Sequence, residues 1–189
     1  AVFYLIMIGR ISGKLNYISA DHILVDVSGV GYILYVTQTT LANLPKLGNT
    51  VSLFTELVVK EDLLQLVGFI TTTEKEWYKL LTSVQGVGSK AALALLSQLP
   101  ISTLSRAILL EDATTITSAQ GVGPKIAKRL VVELKGKVPS MMKFSGKHDL
   151  SSNHLNSELG NSSNKVDKKS LGQNFSKNDI SQKEIDAIS

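Results

Sequence analysis

The octapeptide Gln85-Gly86-Val87-Gly88-Ser89-Lys90-Ala91-Ala92 returns 35 residues later as Gln120-Gly121-Val122-Gly123-Pro124-Lys125-Ile126-Ala127. Each copy carries two glycines one residue apart and a lysine two residues beyond the second. These residue types suit anion binding. Glycine lets the backbone take positive φ and come close to a ligand. The N–H groups of such a turn, and of a helix that starts after it, have no intrahelical partners, and the helix dipole adds partial positive charge there. Lys90 and Lys125 place full charges beside them. A phosphate oxygen is the natural guest, and a contact of this kind holds a sugar-phosphate chain without reading its bases. The candidate contacts are Gly86, Val87, Gly88, Ser89 and Lys90 in the first copy. In the second they are Gly121, Val122, Gly123 and Lys125, with Lys128 and Arg129 further along the same helix. One copy alone reads as a plain tight turn, and two copies also fit a helical duplication that binds nothing. The shared Gln-Gly-Val-Gly-x-Lys-x-Ala frame favours phosphate. A P-loop is excluded, because the chain has no Gly-x-x-x-x-Gly-Lys-Ser/Thr run and neither copy follows a strand pattern.

Such turns need helices on both sides. Residues 78–84 and 115–119 supply the helices that enter the turns, so each unit reads as a helix-hairpin-helix. Thr73-x-x-Glu76 reads as a capping box at the start of the helical segment. Trp77, Leu80, Leu81 and Val84 then recur at the spacing of one apolar helix face. Further helices are expected over residues 91–99 and 102–110, and after a cap at Asp112. Pro124 suits the first turn of the last helix, where its missing N–H costs nothing. Ile126, Leu130, Val131 and Leu134 form that helix's apolar stripe. Upstream, residues 7–15, 22–27, 32–36, 51–59 and 63–69 read as short strands, with a hairpin signal at Ser28-Gly29-Val30-Gly31 and one helical turn near residues 39–44. Five short strands in so little chain predict a small closed barrel of the OB type, since closure removes exposed edges. The expected fold class is α+β, with residues 1–71 as barrel and residues 72–137 as tandem helix-hairpin-helix. Residues 138–183 lack periodicity and large apolar side chains, which predicts a flexible linker. Residues 184–189 read as the start of a truncated C-terminal domain.

Charge separates along the same boundaries. Residues 1–71 carry four basic against five acidic side chains, residues 72–137 nine against five, and the remainder seven against six. The positive charge thus sits with the duplicated turns, as a polyanion-binding module requires. The whole chain is only +4, so placement matters more than bulk charge. No cysteine is present, which excludes disulfides, zinc-thiolate sites and thiol nucleophiles. The three histidines are scattered, no metal site is expected, and no cofactor is implied. No apolar run reaches membrane-spanning length. The six residues before Met7 are apolar but lack the basic start and small-residue cleavage site of a signal peptide.

Glu61 and Asp62 occupy the tip of a predicted hairpin. Composition alone assigns them to an ordinary solvated turn. The functional alternative is a negative pin that repels phosphates and steers strands.

Several of these stretches together resemble the RuvA family. Met7-Ile8-Gly9-Arg10-Ile11-x-Gly13, Val27-x-Gly29-Val30-Gly31-Tyr32, Val59-Lys60-Glu61-Asp62 with Gly68-Phe69, and both glycine turns follow in family order. The resemblance runs continuously over residues 7–137. It implies an OB barrel, a tandem helix-hairpin-helix domain, a linker and a small C-terminal domain that contacts a RuvB-type hexameric ATPase motor. It also implies a non-catalytic scaffold that holds four-way (Holliday) junction DNA open for branch migration in recombination, DNA repair and the SOS response. The implied assembly is a cytoplasmic bacterial homotetramer, or an octamer on DNA, working beside a RuvC-type resolvase. Glu61 and Asp62 then match the acidic pin, and Gly86, Gly88, Lys90, Gly121, Gly123 and Lys125 match phosphate-binding positions. Lys60 departs from the family, where arginine is common. The residues before Met7 have no counterpart, and the C-terminal domain is represented only by residues 185–189.

Two other functions compete. A DNA glycosylase of the helix-hairpin-helix type needs a carboxylate about 20 residues after the hairpin and a pocket for a flipped base. After Lys90 the candidates are Glu111 and Asp112, at a helix boundary, and after Lys125 only Asp149, in the linker. A general single-strand binder needs exposed aromatics along a basic groove. This barrel is net negative, and Tyr32 and Tyr35 have no basic track to share.

Overall fold

The computed structural model describes residues 8–60 and 63–141. Glu61, Asp62, the first seven residues and residues 142–189 lie outside that set, and with them most of the expected linker and the C-terminal fragment.

β1 (Arg10–Ile18), β2 (His22–Val27) and β3 (Val30–Val36) form an antiparallel meander. A short helix α1 (Gln38–Ala42) follows, then the long β4 (Thr50–Lys60) and β5 (Leu63–Phe69). The strands close in the order β1-β2-β3-β5-β4, with a parallel β3–β5 pairing as the seam. This is the expected five-stranded barrel. Its interior is filled by Ile11, Leu15, Ile23, Val25, Leu34, Val36, Val51 and Leu53, alternate residues on each strand, as the two-residue period of a strand dictates. Ser28 and Gly29 turn the β2–β3 hairpin with φ of 54° and 91°, the positive pair that a two-residue hairpin favours.

β1 starts and ends about three residues later than its pattern suggested. It runs unbroken through Gly13. A Cβ there would lie 2.2 Å from the Asp26 carbonyl oxygen, so the glycine is what lets β1 lie between β2 and β4. The expected capping box is also displaced. Thr71, not Thr73, caps α2 (Thr72–Thr82): its hydroxyl accepts from Glu74 N–H at 3.1 Å, and the Glu74 carboxylate accepts from Thr71 N–H at 3.3 Å. Glu76 instead pairs with Lys79 at 3.3 Å on the exposed face.

α3 (Ser89–Gln98), α4 (Ile101–Leu109), α5 (Ala113–Thr117) and α6 (Pro124–Leu134) complete the helical part. Their core holds Trp77, Tyr78, Leu81, Val84, Leu95, Leu104, Ile108, Ile116, Leu130, Val131 and Leu134. Tyr78 replaces the expected Leu80 on the buried face of α2, where its ring lies 5.1 Å from that of Phe69. Ala127 replaces Ile126 as a fully buried residue of α6, while Ile126 packs at the margin. Val67 and Phe69 of β5 belong to this helical core rather than to the barrel interior. Val138 is fully buried and Met141 packs against the same core. The folded part therefore reaches past the point where the linker was expected to begin. Among the described residues no single helix is long and apolar enough to cross a membrane.

Candidate nucleic-acid interface

The duplicated peptides build two turns with matched hydrogen bonds. In the first, Val84 N–H donates to Leu81 O at 3.2 Å and Val87 N–H to Val84 O at 3.0 Å. In the second, Ala119 N–H donates to Ile116 O at 3.3 Å and Val122 N–H to Ala119 O at 3.1 Å. Gly86 and Gly121 take φ of 94° and 80°, the left-handed region that only glycine enters without strain. Val84 and Val87, like Ala119 and Val122, bury their side chains in the core. Each turn is thereby anchored from below, and its glycines are left on the surface.

Gly88 and Gly123 are the N-caps of α3 and α6, with ordinary extended backbone at φ −91° and −81°. Neither supplies a side-chain cap. The first intrahelical bonds are Ala92 N–H to Gly88 O at 3.0 Å and Ala127 N–H to Gly123 O at 2.9 Å. The preceding N–H groups of α3 and α6 are thus left for an outside acceptor. Helices α2 and α5, which enter the turns, are treated differently. Thr71 caps the one, and Asp112 caps the other by accepting from Thr114 and Thr115 N–H at 3.1 Å each. A hydrogen bond from the Thr115 hydroxyl, with these backbone bonds, holds the Asp112 carboxyl below its ordinary pKa. No atom lies within 4 Å of a Cβ added to Gly86, Gly88, Gly121 or Gly123. Packing within the chain does not require glycine at any of the four. At Gly88 and Gly123 the backbone angles do not require it either, so the open space there is room for a partner's backbone.

The structure sorts the candidate contacts. Lys90, Lys125 and Lys128 are exposed on α3 and α6. Val87 and Val122 direct neither side chain nor N–H outward, since both are committed to the turn. Ser89 presents a first-turn N–H, but its Oγ is buried in a cavity of about 440 Å³ also lined by Glu56 and Tyr78. Burial pushes the Tyr78 phenol above its ordinary pKa, with the Ser89 hydroxyl acting in the opposite direction and the Glu56 carboxylate reinforcing the rise. Arg129 is already engaged. Its Nη2 donates to Gln85 Oε1 at 2.6 Å and its Nε to Glu133 Oε1 at 2.6 Å. Periodicity could not reveal the Gln85 partner, which lies 44 residues away. Glu61 and Asp62 lie outside the described residues. The strands flanking them pair up to Lys60 and Leu63.

Residues 7–68 match the RuvA N-terminal domain, and residues 78–137 match a SAM-like helix-hairpin-helix tandem. The chain is 55% identical over 139 residues to the Holliday junction branch migration complex subunit RuvA of Roseobacter denitrificans, covering 74% of this chain and 64% of that protein. Over these residues the chain belongs to the RuvA family. Proteins of the same name from Jannaschia sp. (54% over 143 residues, 76% of this chain, 64% of that protein) and Paracoccus denitrificans (56% over 140 residues, 74% and 63%) agree. The chain spans less than two thirds of the length of these RuvA relatives. A barrel domain followed by a helix-hairpin-helix tandem is the expected order.

Proposed function

We propose that this chain is the non-catalytic DNA-binding scaffold of a branch migration complex, holding a four-way junction open while a RuvB-type hexameric motor moves the strands. The observation that carries this reading is the pair of surface glycine turns. Each leads into an uncapped helix start and an exposed lysine, in the one segment with a clear positive excess. Two grips 35 residues apart can hold two points on a phosphate backbone without base contacts.

Assembly as a fourfold oligomer fits the barrel surface. Tyr17 on β1 pairs in register with Leu24 on β2, and Leu24 with Ile33 on β3. These three residues form one row on one face. Tyr17 and Ile33 are each 52% exposed, an apolar strip suited to a neighbouring copy. In such an oligomer the β4–β5 hairpins would bring Glu61 and Asp62 of each protomer toward the junction centre, where they repel phosphates. A RuvC-type resolvase, an octamer on DNA and a bacterial cytoplasmic setting follow from the same reading.

The test is a gel-shift comparison of four-way junction and linear duplex at one salt concentration. The expected result is a clear preference for the junction, equal for junctions of shuffled sequence, and steeply weakened by salt. Equal affinity for duplex, or a strong base-sequence preference, would reject the reading.

A further inference from the structure

The 35-residue repeat relates Gln85 to Gln120 and Ala94 to Arg129. These pairs make two equivalent corners, each formed by the glutamine before one turn and a residue on the helix after the other. They are built differently. At the first corner Arg129 of α6 reaches across to Gln85, Nη2 to Oε1 at 2.6 Å, while Glu133 one turn further along α6 holds its Nε at 2.6 Å. At the second corner the arginine's place is taken by Ala94. Ala94 and Gln120 there line an open cleft of about 450 Å³, together with Gly88, Lys90, Ala91 and Gly121. At these corners the pseudo-symmetry of the tandem is broken: Arg129 and Glu133 stand where the first copy has Ala94 and Gln98.

We propose that Arg129 is a positioning residue: it braces α6 against the first glycine turn and so fixes the spacing and angle between the two phosphate grips. This rests on the junction-binding reading above. The guanidinium suits the task because its planar fork donates in fixed directions to two acceptors at once, which an ammonium does not reproduce. Both Arg129 and Glu133 are partly exposed, at 45% and 35% of their side-chain surface, so the brace contributes little to global stability. Its effect is on orientation. Two rigidly spaced grips engage one backbone without first ordering each other, which raises affinity by lowering the cost of pre-arrangement. An Arg129 committed in this way does not spend its charge on a phosphate.

The experiment compares Gln85→Met, Arg129→Met, Arg129→Lys and the Gln85→Met/Arg129→Met double variant. Junction affinity is measured across a salt series, with melting temperature beside it. With a brace, each single variant loses about tenfold in junction affinity, the low end for one hydrogen bond to a charged group. The double variant then loses no more than the worse single, Arg129→Lys behaves like Arg129→Met, and every salt slope stays at the wild-type value. Melting temperatures stay close together. The proposal is overturned if Gln85→Met binds as wild type while Arg129→Met flattens the salt slope by about 0.9, the signature of one lost phosphate contact. Full retention of affinity by Arg129→Lys, or additive losses in the double variant, overturns it equally. Failure of the underlying reading is separate and visible in the wild-type protein, as an absence of preference for junction over duplex.

Discussion

Replacing Gly88 and Gly123 together by alanine separates folding from binding at the two turns. Both residues have extended backbone that any residue adopts, at φ −91° and −81°. An added Cβ meets no atom within 4 Å at either position. The folded chain therefore accepts alanine without strain. Alanine restricts the unfolded chain and so stabilises by about 0.4–1 kcal/mol per site. It is a poorer N-cap than glycine, which offsets that gain by a similar amount. The net change in stability should lie within about 0.5 kcal/mol. Binding responds differently, because the new methyl group fills the space through which a phosphate reaches the free N–H groups. A hydrogen bond to a charged group contributes about 1.5–3 kcal/mol, so losing one at each turn weakens junction binding at least tenfold. Gly86→Ala is the control. At φ 94° a side chain costs about 1–2 kcal/mol, so this variant should lose stability first. Denaturant unfolding gives the stabilities, and gel shifts at fixed salt give the affinities. Wild-type junction affinity in a folded Gly88→Ala/Gly123→Ala protein would refute the phosphate-cradle geometry.

Lys90→Ala with Lys125→Ala should weaken junction binding and flatten the salt slope by about 0.9 per lost contact, while the melting temperature holds. Salt-series gel shifts check this, and an unchanged slope would move the phosphate site elsewhere. Glu61→Gln with Asp62→Asn should raise affinity for linear duplex and lower the junction-to-duplex ratio, measured at one salt concentration. An unchanged ratio would return these residues to a solvated turn. Asp112 has a lowered pKa in the folded protein, so its contribution to stability is complete above its unfolded pKa and is lost as pH falls through the lowered value. Asp112→Asn, which keeps an acceptor for the cap, should therefore remove that part of the acid destabilisation, read from melting temperature against pH.

The repeat made the candidate interface legible, because glycine, lysine and buried alanine serve the same roles in both copies. β2 and β5 were legible for a different reason: each is a short apolar run bounded by turn or charged residues, and each strand has the expected bounds. Where the reading slipped, the sequence offered two frames or a non-local cause. Thr71-Thr72-Thr73 followed by Glu74, Lys75 and Glu76 fits a capping box in either of two registers, and the strand ending at Phe69 selects the earlier. Nothing local marks Gly13 as indispensable to β1, because the close passage of β2 that requires it is a non-local contact. Arg129 reads as a free cation because Gln85, its partner, approaches only after both hairpins have folded. Val87 and Val122 read as ligand contacts because a turn's own hydrogen bonds are invisible in a list of residue types.

β5 has a consequence for how the protein opens. One face of this strand, through Leu66, packs toward the barrel, and the other, through Val67 and Phe69, is buried among the helices. A strand shared by two cores cannot be released by loosening either one alone. Its amide protons should be among the slowest in the chain to exchange with solvent, at the free energy of global unfolding rather than of a local fluctuation. Barrel and hairpin tandem should then behave as one foldon, losing protection together. A scaffold opened only as a whole keeps its DNA grips in register with the β4–β5 hairpin through every smaller excursion of its surface loops.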